Sequence, residues 1–555
     1  MLEKNLQAIN NIALQRRLRK ISPIESRIGI TYCVTPSNDY VLLKDELPCD
    51  DLNNPREAIR KMFKENIKHK METNDIIIGF GIGLGYILDE AFNTFPSRIY
   101  IYEPDLKLLH FVLQNVDMAE ILSDERVFIT NDLDELINKL SSTYLTKDKV
   151  EIIYLQNYAV VKNNELLMLT QKVFDSCKSK MVDINTITKF STKWLLNTIE
   201  NMATIENKNI YKLSDLENKF EGQTALIAAA GPSLKDNIEK IKANRDKFII
   251  FAVNKSAKYL IQNEIIPDFI VCLDAGNMKK TLGNIDNSLA NVNCIMDIRT
   301  DKYLTTKPFN KIFINFSETD FLMKKLSRFN TMKFYEAGGS ASILALNSAF
   351  KMGFSKIVLA GVDLAFKDTV IYSSGETMER ISQEEIIVDK VKKTLVQVPS
   401  IKGGTVYTRE DYETYIHHFE ALVKELKFDE IYNISSFGAY INGIKPAKFE
   451  EIIPYQKASL QSLAFVSPFK FKLQEFMQEE FFNINNIISM LSKGIFSTSL
   501  VNSIVKSVFI YQYMQSDVLN ILQKNFDTEL ANEFIEKTKL AIKTVVNLLQ
   551  KNKLI

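Results

Sequence analysis

Between Thr224 and Asp363 short, nearly continuous apolar runs alternate with amphipathic helical patterns, and this alternation constrains the chain more than any other feature. The runs are ALIAAAG, FIIFAVN, PDFIVCLDAG, NVNCIMDI, KIFINF and KIVLAGVD, with a further short strand read at KFYEAGG. Between them PSLKDNIEKIKAN, KSAKYLIQN and SASILALNSAFKMG repeat apolar residues at helical spacing. Strands without polar alternation are buried on both faces, which a parallel sheet covered by helices achieves. The expected fold is therefore α/β, a Rossmann-like doubly wound sheet, whose ligands bind beyond the carboxyl ends of its strands.

A smaller example of the same pattern lies upstream. Asp75–Phe80 reads as a strand, Gly81–Gly85 as a turn, Tyr86–Phe95 as a helix and Arg98–Tyr102 as a second strand, which makes a βαβ unit. A strand is also expected near Tyr40–Leu43, helices over Glu165–Lys180 and Thr186–Glu206, and an all-helical region after Pro454. The 555 residues then divide into a mixed segment (1–70), a small Rossmann-like domain with a helical connector (71–210), a central domain (211–453) and a helical domain (454–555), with the central boundary near Lys208–Glu221.

Charge and cysteine usage narrow the function. Lys and Arg number 69 against 68 Asp and Glu, so no global field draws nucleic acid or an anionic membrane, and an anionic ligand must be held locally. No stretch has the 18 or more apolar residues of a membrane span, and MLEKNLQAINNIALQRRLRK lacks the apolar core of a secretory signal. Five cysteines without C-x-x-C spacing point to a reducing compartment and no zinc site, so the expected location is the cytoplasm.

Candidate ligand loops fall at strand ends. Gly79-Phe-Gly81-Ile-Gly83-Leu-Gly85 followed by Glu103 has the ingredients of a nucleotide or S-adenosylmethionine site, but glycines also serve tight strand–helix packing, and that is the preferred reading. Gly231-Pro232-Ser233 pairs a tight turn and a pre-set helix start with a hydroxyl beside oriented N–H groups, a phosphate cradle or an ordinary junction. Gly338-Gly339-Ser340-Ala341-Ser342 repeats the design. Asn254, Asp274 and Asp363 each end or follow a strand on the same edge.

Taken in order, Gly231-Pro232-Ser233, Asn254, IIPDFIVCLD with Asp274, Gly338-Gly339-Ser340, Gly361-Val-Asp363-Leu-Ala365, Gly403–Thr408 and Tyr432-Asn-Ile-Ser435 resemble the Maf (motility-associated factor) flagellin glycosyltransferases over roughly residues 70–450. The family's central domain is similar to bacterial sialyltransferases. The resemblance implies transfer of a nonulosonic acid, of pseudaminic or legionaminic type, from its CMP-activated donor to Ser or Thr of flagellin, with no obligatory metal or other cofactor. It implies a donor site at Gly231, Pro232, Ser233, Asn254, Asp274, Gly338, Gly339, Ser340, Ser342 and Gly361. Relatives carry a His shortly after Asp-Leu-Ala, where this chain reads Phe366-Lys-Asp-Thr-Val-Ile-Tyr372. Candidate catalytic residues are accordingly Asp363, Tyr372 and His417, the last from YETYIHHFEAL. The Phe- and Leu-rich stripes after Pro454 are most simply core packing; if exposed, Phe471, Phe482 or Tyr511 would offer a groove to flagellin helices. The rival readings are a pterin pyrophosphokinase-like transferase using Asp274 and Asp363 for magnesium and ATP, and a non-catalytic flagellin-binding chaperone.

Overall fold

The computed structural model describes residues 1–145, 148–205, 208–283, 285–316, 321–330, 332–366, 395–494, 498–522 and 528–555. The chain forms two compact units, Met1–Ile187 and a second that begins at Thr188. In the first unit an antiparallel sheet (β1, Ile30–Val34; β2, Tyr40–Lys44; β3, Leu47–Pro48) precedes a parallel one (β4, Ile76–Phe80; β5, Arg98–Tyr102; β6, Val127–Thr130; β7, Val150–Tyr154). The parallel order is β6-β5-β4-β7, and every residue of β4 is buried, as its unbroken apolar run requires.

The second unit is built on a sheet of nine strands: β8 (Ile210–Lys212), β9 (Thr224–Ala228), β10 (Ile249–Val253), β11 (Phe269–Cys272), β12 (Asn293–Asp297), β13 (Ile312–Asn315), β14 (Lys356–Ala360), β17 (Ile431–Asn433) and β18 (Lys445–Pro446), with a separate hairpin of β15 (Leu395–Pro399) and β16 (Thr405–Arg409). Its order is β18-β17-β14-β9-β10-β11-β12-β13-β8 and all neighbours are parallel. Side chains alternate between faces with the strand period of two. Ala225, Ile227, Phe251 and Phe269 meet helix Ala341–Lys351 in one core, while Leu226, Ile250, Ala252 and Ile270 meet helices Leu234–Ala243 and Asn254–Gln262 in the other.

That second core also contains Phe476, Ile484 and Ile487 of helix Leu473–Ser492, and Phe509 and Ile510 of helix Val508–Leu522. The described helices after Pro454 thus share this core, where Phe476 meets Phe329 of helix Phe321–Asn330. A buried ion pair fastens them. Lys325 Nζ, on helix Phe321–Asn330, lies 2.7 Å from Glu480 Oε1 and 3.0 Å from Glu479 Oε1, and donates to the Lys506 carbonyl at 2.8 Å. Glu480 Oε2 accepts from the Ser507 hydroxyl at 3.0 Å and the Phe509 N–H at 3.3 Å. Of the three aromatic residues that would form a groove if exposed, only Phe482 is exposed; Phe471 stacks on Phe316 and Tyr511 packs edge-on to Phe321, as core packing expects.

Three local expectations change. Glu165–Lys180 and Thr186–Glu206 belong to one helix, Asn163–Ile205, because the intervening Met-Val-Asp-Ile-Asn holds no Gly or Pro to break it. KFYEAGG is not a strand. Its carbonyls at Tyr335 and Glu336 accept from the side chains of Asn315 (3.3 Å) and Asn347 (3.1 Å) in place of a ladder. The β15–β16 hairpin was not anticipated, although Gly403-Gly404 between LVQVP and TVYTR is a turn signal.

Lys325→Met should strand the buried Glu480 carboxylate and lower unfolding free energy by about 3–5 kcal/mol. Lys325→Met with Glu480→Leu should recover most of that loss. Urea denaturation of both variants checks this, and equal losses in the single and double variants would remove the ion pair from its fastening role.

Candidate functional site

From β9 the chain builds the sheet outward to β13 and then crosses back to place β14 on the other side of β9, so the topological switch point lies between β9 and β14. The loops leaving these strands are locked together. Ala229 N–H donates to Ala360 O at 2.8 Å and Gly231 N–H to Gly361 O at 2.8 Å. Ser233 N–H donates to Asp363 Oδ2 at 2.8 Å, and the Ser233 hydroxyl donates to Asp363 Oδ1. Approach is close enough to require glycine: a Cβ at Gly231 would lie 2.4 Å from Gly361 O and 2.6 Å from the Asp363 carboxyl carbon. Gly438, at φ +133°, passes over the Asp363 backbone, where a Cβ would fall 2.5 Å from Asp363 O.

This geometry assigns Ser233 and Asp363 to each other. Ser233 is fully buried and Asp363 is 2 % exposed. Burial pushes the Asp363 carboxyl up to about 6, against the opposing pull of the hydrogen bonds from Ser233. The N–H groups of Leu234, Lys235 and Asp236 donate to Gly231, Pro232 and Ser233 carbonyls. The expected phosphate cradle at Gly231-Pro232-Ser233 is therefore spent inside the turn, and the expected catalytic carboxylate at Asp363 acts as the clamp of that turn.

The second glycine loop is different. Gly338 and Gly339 take φ +48° and +73°, and Ser340 caps helix Ala341–Lys351 without a side-chain bond to it. The first N–H groups of a helix have no partner within it, and those of Ala341, Ser342 and Ile343 have none among the described residues. The Ser340 and Ser342 hydroxyls stand beside them, 2.8 Å apart. From helix Glu410–Leu426, Tyr415 closes on Gly339, 3.5 Å from where a Cβ would be, and the His418 Nδ1–H donates to Gly338 O at 2.8 Å. A carbonyl accepts only, so this bond fixes the tautomer of the neutral ring and leaves Nε2 as an acceptor. His417, expected as a catalytic residue, points away, with an exposed ring 3.6 Å from Glu420. His418 is the histidine at the loop. Tyr372 lies outside the described residues.

Asn254 opens helix Asn254–Gln262 from the end of β10, is 5 % exposed, and directs Nδ2 to Met278 Sδ at 3.8 Å. Asp274 is exposed and accepts from Gly276 N–H at 2.7 Å within its own turn. Two residues of this edge were not anticipated. Asn197 and Asn201, one turn apart on helix Asn163–Ile205, donate to the carbonyls of Arg299 (2.8 Å) and Ala275 (3.3 Å), and of Thr300 (2.7 Å) and Ile298 (2.8 Å). They hold the loops after β11 and β12. Their signal in sequence is a pair of amides at i, i+4 beside the apolar stripe Leu195, Ile199 and Met202.

The glycine loop of the first unit packs against protein. Glu103 is fully buried; its carboxylate accepts from Ile82 N–H (3.0 Å), Asp105 N–H (2.9 Å) and the Tyr158 hydroxyl (2.5 Å), and burial pushes it up to about 7. A Cβ at Gly81 would meet the Tyr158 ring at 2.6 Å and one at Gly85 the Met118 side chain at 2.0 Å. The glycines and the acid are used by the fold itself.

Among the described residues no group of three or more His, Cys, Asp or Glu is arranged to hold a metal ion, and no helix is long and apolar enough to cross a membrane. One family model, described as 6-hydroxymethylpterin diphosphokinase MptE-like, matches residues 196–369. An uncharacterized protein of Treponema pallidum is 26% identical over 168 residues, 29% of this chain and 76% of the relative. Among solved structures, a Maf glycosyltransferase from Magnetospirillum magneticum superposes on 100% of this chain and 96% of its own with a TM-score of 0.64, at 15% identity. The resemblance drawn from the motifs thus extends to the fold of the entire chain.

The clamp makes a testable demand. A carboxyl raised by burial favours the folded state below its unfolded value near 4, and that contribution is lost as pH rises through 6, on the order of 3 kcal/mol. Asp363→Asn should flatten the dependence of urea stability on pH between about 4 and 6. Asp363→Ala, which orphans two buried donors of Ser233, should lower stability at pH 7 by about 2–4 kcal/mol. An alanine variant as stable as the parent would leave the clamp without energetic weight.

Proposed function

We propose that this chain is a glycosyltransferase of Maf type, which transfers a nonulosonic acid of pseudaminic or legionaminic kind from its CMP-activated donor to Ser or Thr hydroxyls of flagellin in the cytoplasm, a step of flagellum assembly and motility. The observation that carries the reading is the likeness in fold to a Maf glycosyltransferase over the whole chain. The helix start at Ala341–Ile343, a local anion site that needs no net basic charge, supports it.

In this reading the donor phosphate docks on the N–H groups of Ala341, Ser342 and Ile343 and on the hydroxyls of Ser340 and Ser342. The positive end of the helix stabilises the charge that grows as CMP departs. His418, oriented by Gly338 O, takes the proton of the acceptor hydroxyl at Nε2 as its oxygen attacks the anomeric carbon. A phosphomonoester anion is a good leaving group, so the displacement calls for no obligatory cofactor. Asp363 and Ser233 are positioning residues: they fix the floor of the switch point against which the donor lies. Because the helices after Pro454 share the sheet's core, acceptor binding there is tested in the full chain, at exposed Phe482.

The family-model match favours a second reading, a pterin diphosphokinase-like transferase of ATP and magnesium. The carboxylates that it would draw on are otherwise engaged, Asp363 with Ser233 and Asp274 with Gly276.

Isothermal titration should give binding of CMP and none of ATP with magnesium; the reverse result would establish the second reading in place of the first. His418→Gln should retain CMP affinity and lose transfer by about 10²–10⁴-fold, the usual weight of a general base, while His417→Gln keeps it. Transfer by His418→Gln at the parent rate would move the base elsewhere.

A further inference from the structure

The antiparallel sheet of the first unit ends on an open strand. β1 pairs with β2 on one side, and along its other edge no strand of the described residues lies. Hydrogen-bond parity tells which groups that edge presents. Asp45 N–H donates to Gly29 O at 2.7 Å and Thr35 N–H to Asp39 O at 2.8 Å, so Gly29, Thr31, Cys33 and Thr35 turn their backbone groups to β2. The N–H and carbonyl groups of Tyr32 and Val34 therefore point away from β2, and they have no partner among the described residues. Tyr32 and Val34 are 63 % and 58 % exposed, whereas Ile30 at the start of the strand is buried. The open edge is thus Tyr32–Val34.

Natural sheets protect such an edge with a charge, a proline or a bulge. β1 reads Ile-Thr-Tyr-Cys-Val in unbroken register with β2 and carries none of the three. Its side chains on one face are apolar: the Tyr32 ring meets that of Tyr40 edge-on at 5.8 Å, and Val34 stands opposite Tyr40. The edge is also complementary to itself. An antiparallel second copy, related by a two-fold axis through Cys33, sets Tyr32 opposite Val34 of that copy and Val34 opposite its Tyr32. Each pair exchanges two N–H···O bonds, which satisfies every backbone group of Tyr32 and Val34. Val34 then lies between Tyr40 of its own sheet and Tyr32 of the second copy, an aromatic and β-branched row of the kind that stabilises sheets. A foreign strand would call for pockets that hold its alternate side chains, and the exposed Tyr32, Val34 and Tyr40 stand out from the face without framing one.

We propose that the chain forms a two-fold dimer in which the β1 strands of two copies pair antiparallel about Cys33, joining their antiparallel sheets into one. The axis makes Cys33 a reporter of this register. It is a half-buried free thiol, and in such a non-hydrogen-bonded pair the two Cα atoms lie about 4.5 Å apart, within the span of a disulfide.

The test is sedimentation equilibrium of the full chain at micromolar concentration, which should give a dimer. Diamide, which takes up the two thiol hydrogens as the disulfide forms, should cross-link that dimer in the parent and not in Cys33→Ser. Tyr32→Pro removes an N–H that points away from β2, so β1 keeps its own ladder. It should weaken dimerisation by about 10–100-fold, since half of the bonds between the copies go. Val34→Lys, which changes an exposed side chain and sets like charges on the edge, should weaken it comparably and covers the case of a proline variant that does not fold. A monomeric parent, undiminished dimerisation of Val34→Lys, or a dimer that diamide does not cross-link through Cys33 would each overturn the proposal. None of these readouts depends on sugar transfer, so the dimer stands or falls independently of the activity assigned to the second unit.

Discussion

The bond on which the second unit's architecture turns is the one between Ser233 and Asp363. β9 and β14 are neighbours in the sheet, and the loops that leave them meet at the switch point. Left alone, such a crevice would expose backbone donors at the carboxyl edge. Asp363 closes it from beneath with both carboxyl oxygens, one to the Ser233 N–H and one to its hydroxyl. The close approach of Gly231, Gly361 and Gly438 makes room for that carboxyl, and a methyl group at any of the three would collide with backbone. A carboxyl raised toward neutrality by burial is the electrostatic cost of the arrangement, and its hydrogen bonds are what keep the cost moderate.

The first unit solves the same problem with the same pieces. Glu103, just past β5, reaches across to the Ile82 N–H in the glycine loop after β4, as Asp363 past β14 reaches to Ser233 after β9. An acid after one strand and a glycine turn after its neighbour therefore need not describe a ribose and a phosphate. In both units the acid supplies the acceptor that the turn's buried N–H group lacks, which satisfies the chain's own backbone.

That substitution explains where the sequence could be read and where it could not. The parallel sheets were legible because unbroken apolar runs such as Ile249–Val253 have no other stable environment, and every residue of that strand is buried. The helical pattern after Pro454 was legible too, but not the surface that it covers: the stripe holding Phe476 and Ile487 would look the same in a separate bundle. At the site, Gly231-Pro232-Ser233 and Gly338-Gly339-Ser340 look alike as letters. They diverge through partners remote in the chain, since Asp363 fills one and Tyr415 with His418 borders the other. His417 and His418 are adjacent on a helix and so face directions about 100° apart. Only the position of the Gly338 carbonyl distinguishes them. Asn197 and Asn201 were hidden because buried amides on a helix mean nothing until the loops that they hold are known.

A chain with 69 basic and 68 acidic residues has no global field to hold an anion and must hold one locally, where fixed dipoles can do the work of counter-charges. A helix start supplies them, because its N–H groups are oriented in advance and no long side chain must be ordered when the ligand arrives. Of the two helix starts beside the glycine turns of the large sheet, that of Leu234 has turned its donors onto the preceding carbonyls, and that of Ala341 has not. The donors of the first are engaged, and at the second Ser340 caps the helix without a side-chain bond. A firm switch point beneath and an unspent helix start beside it divide positioning from binding between the two loops.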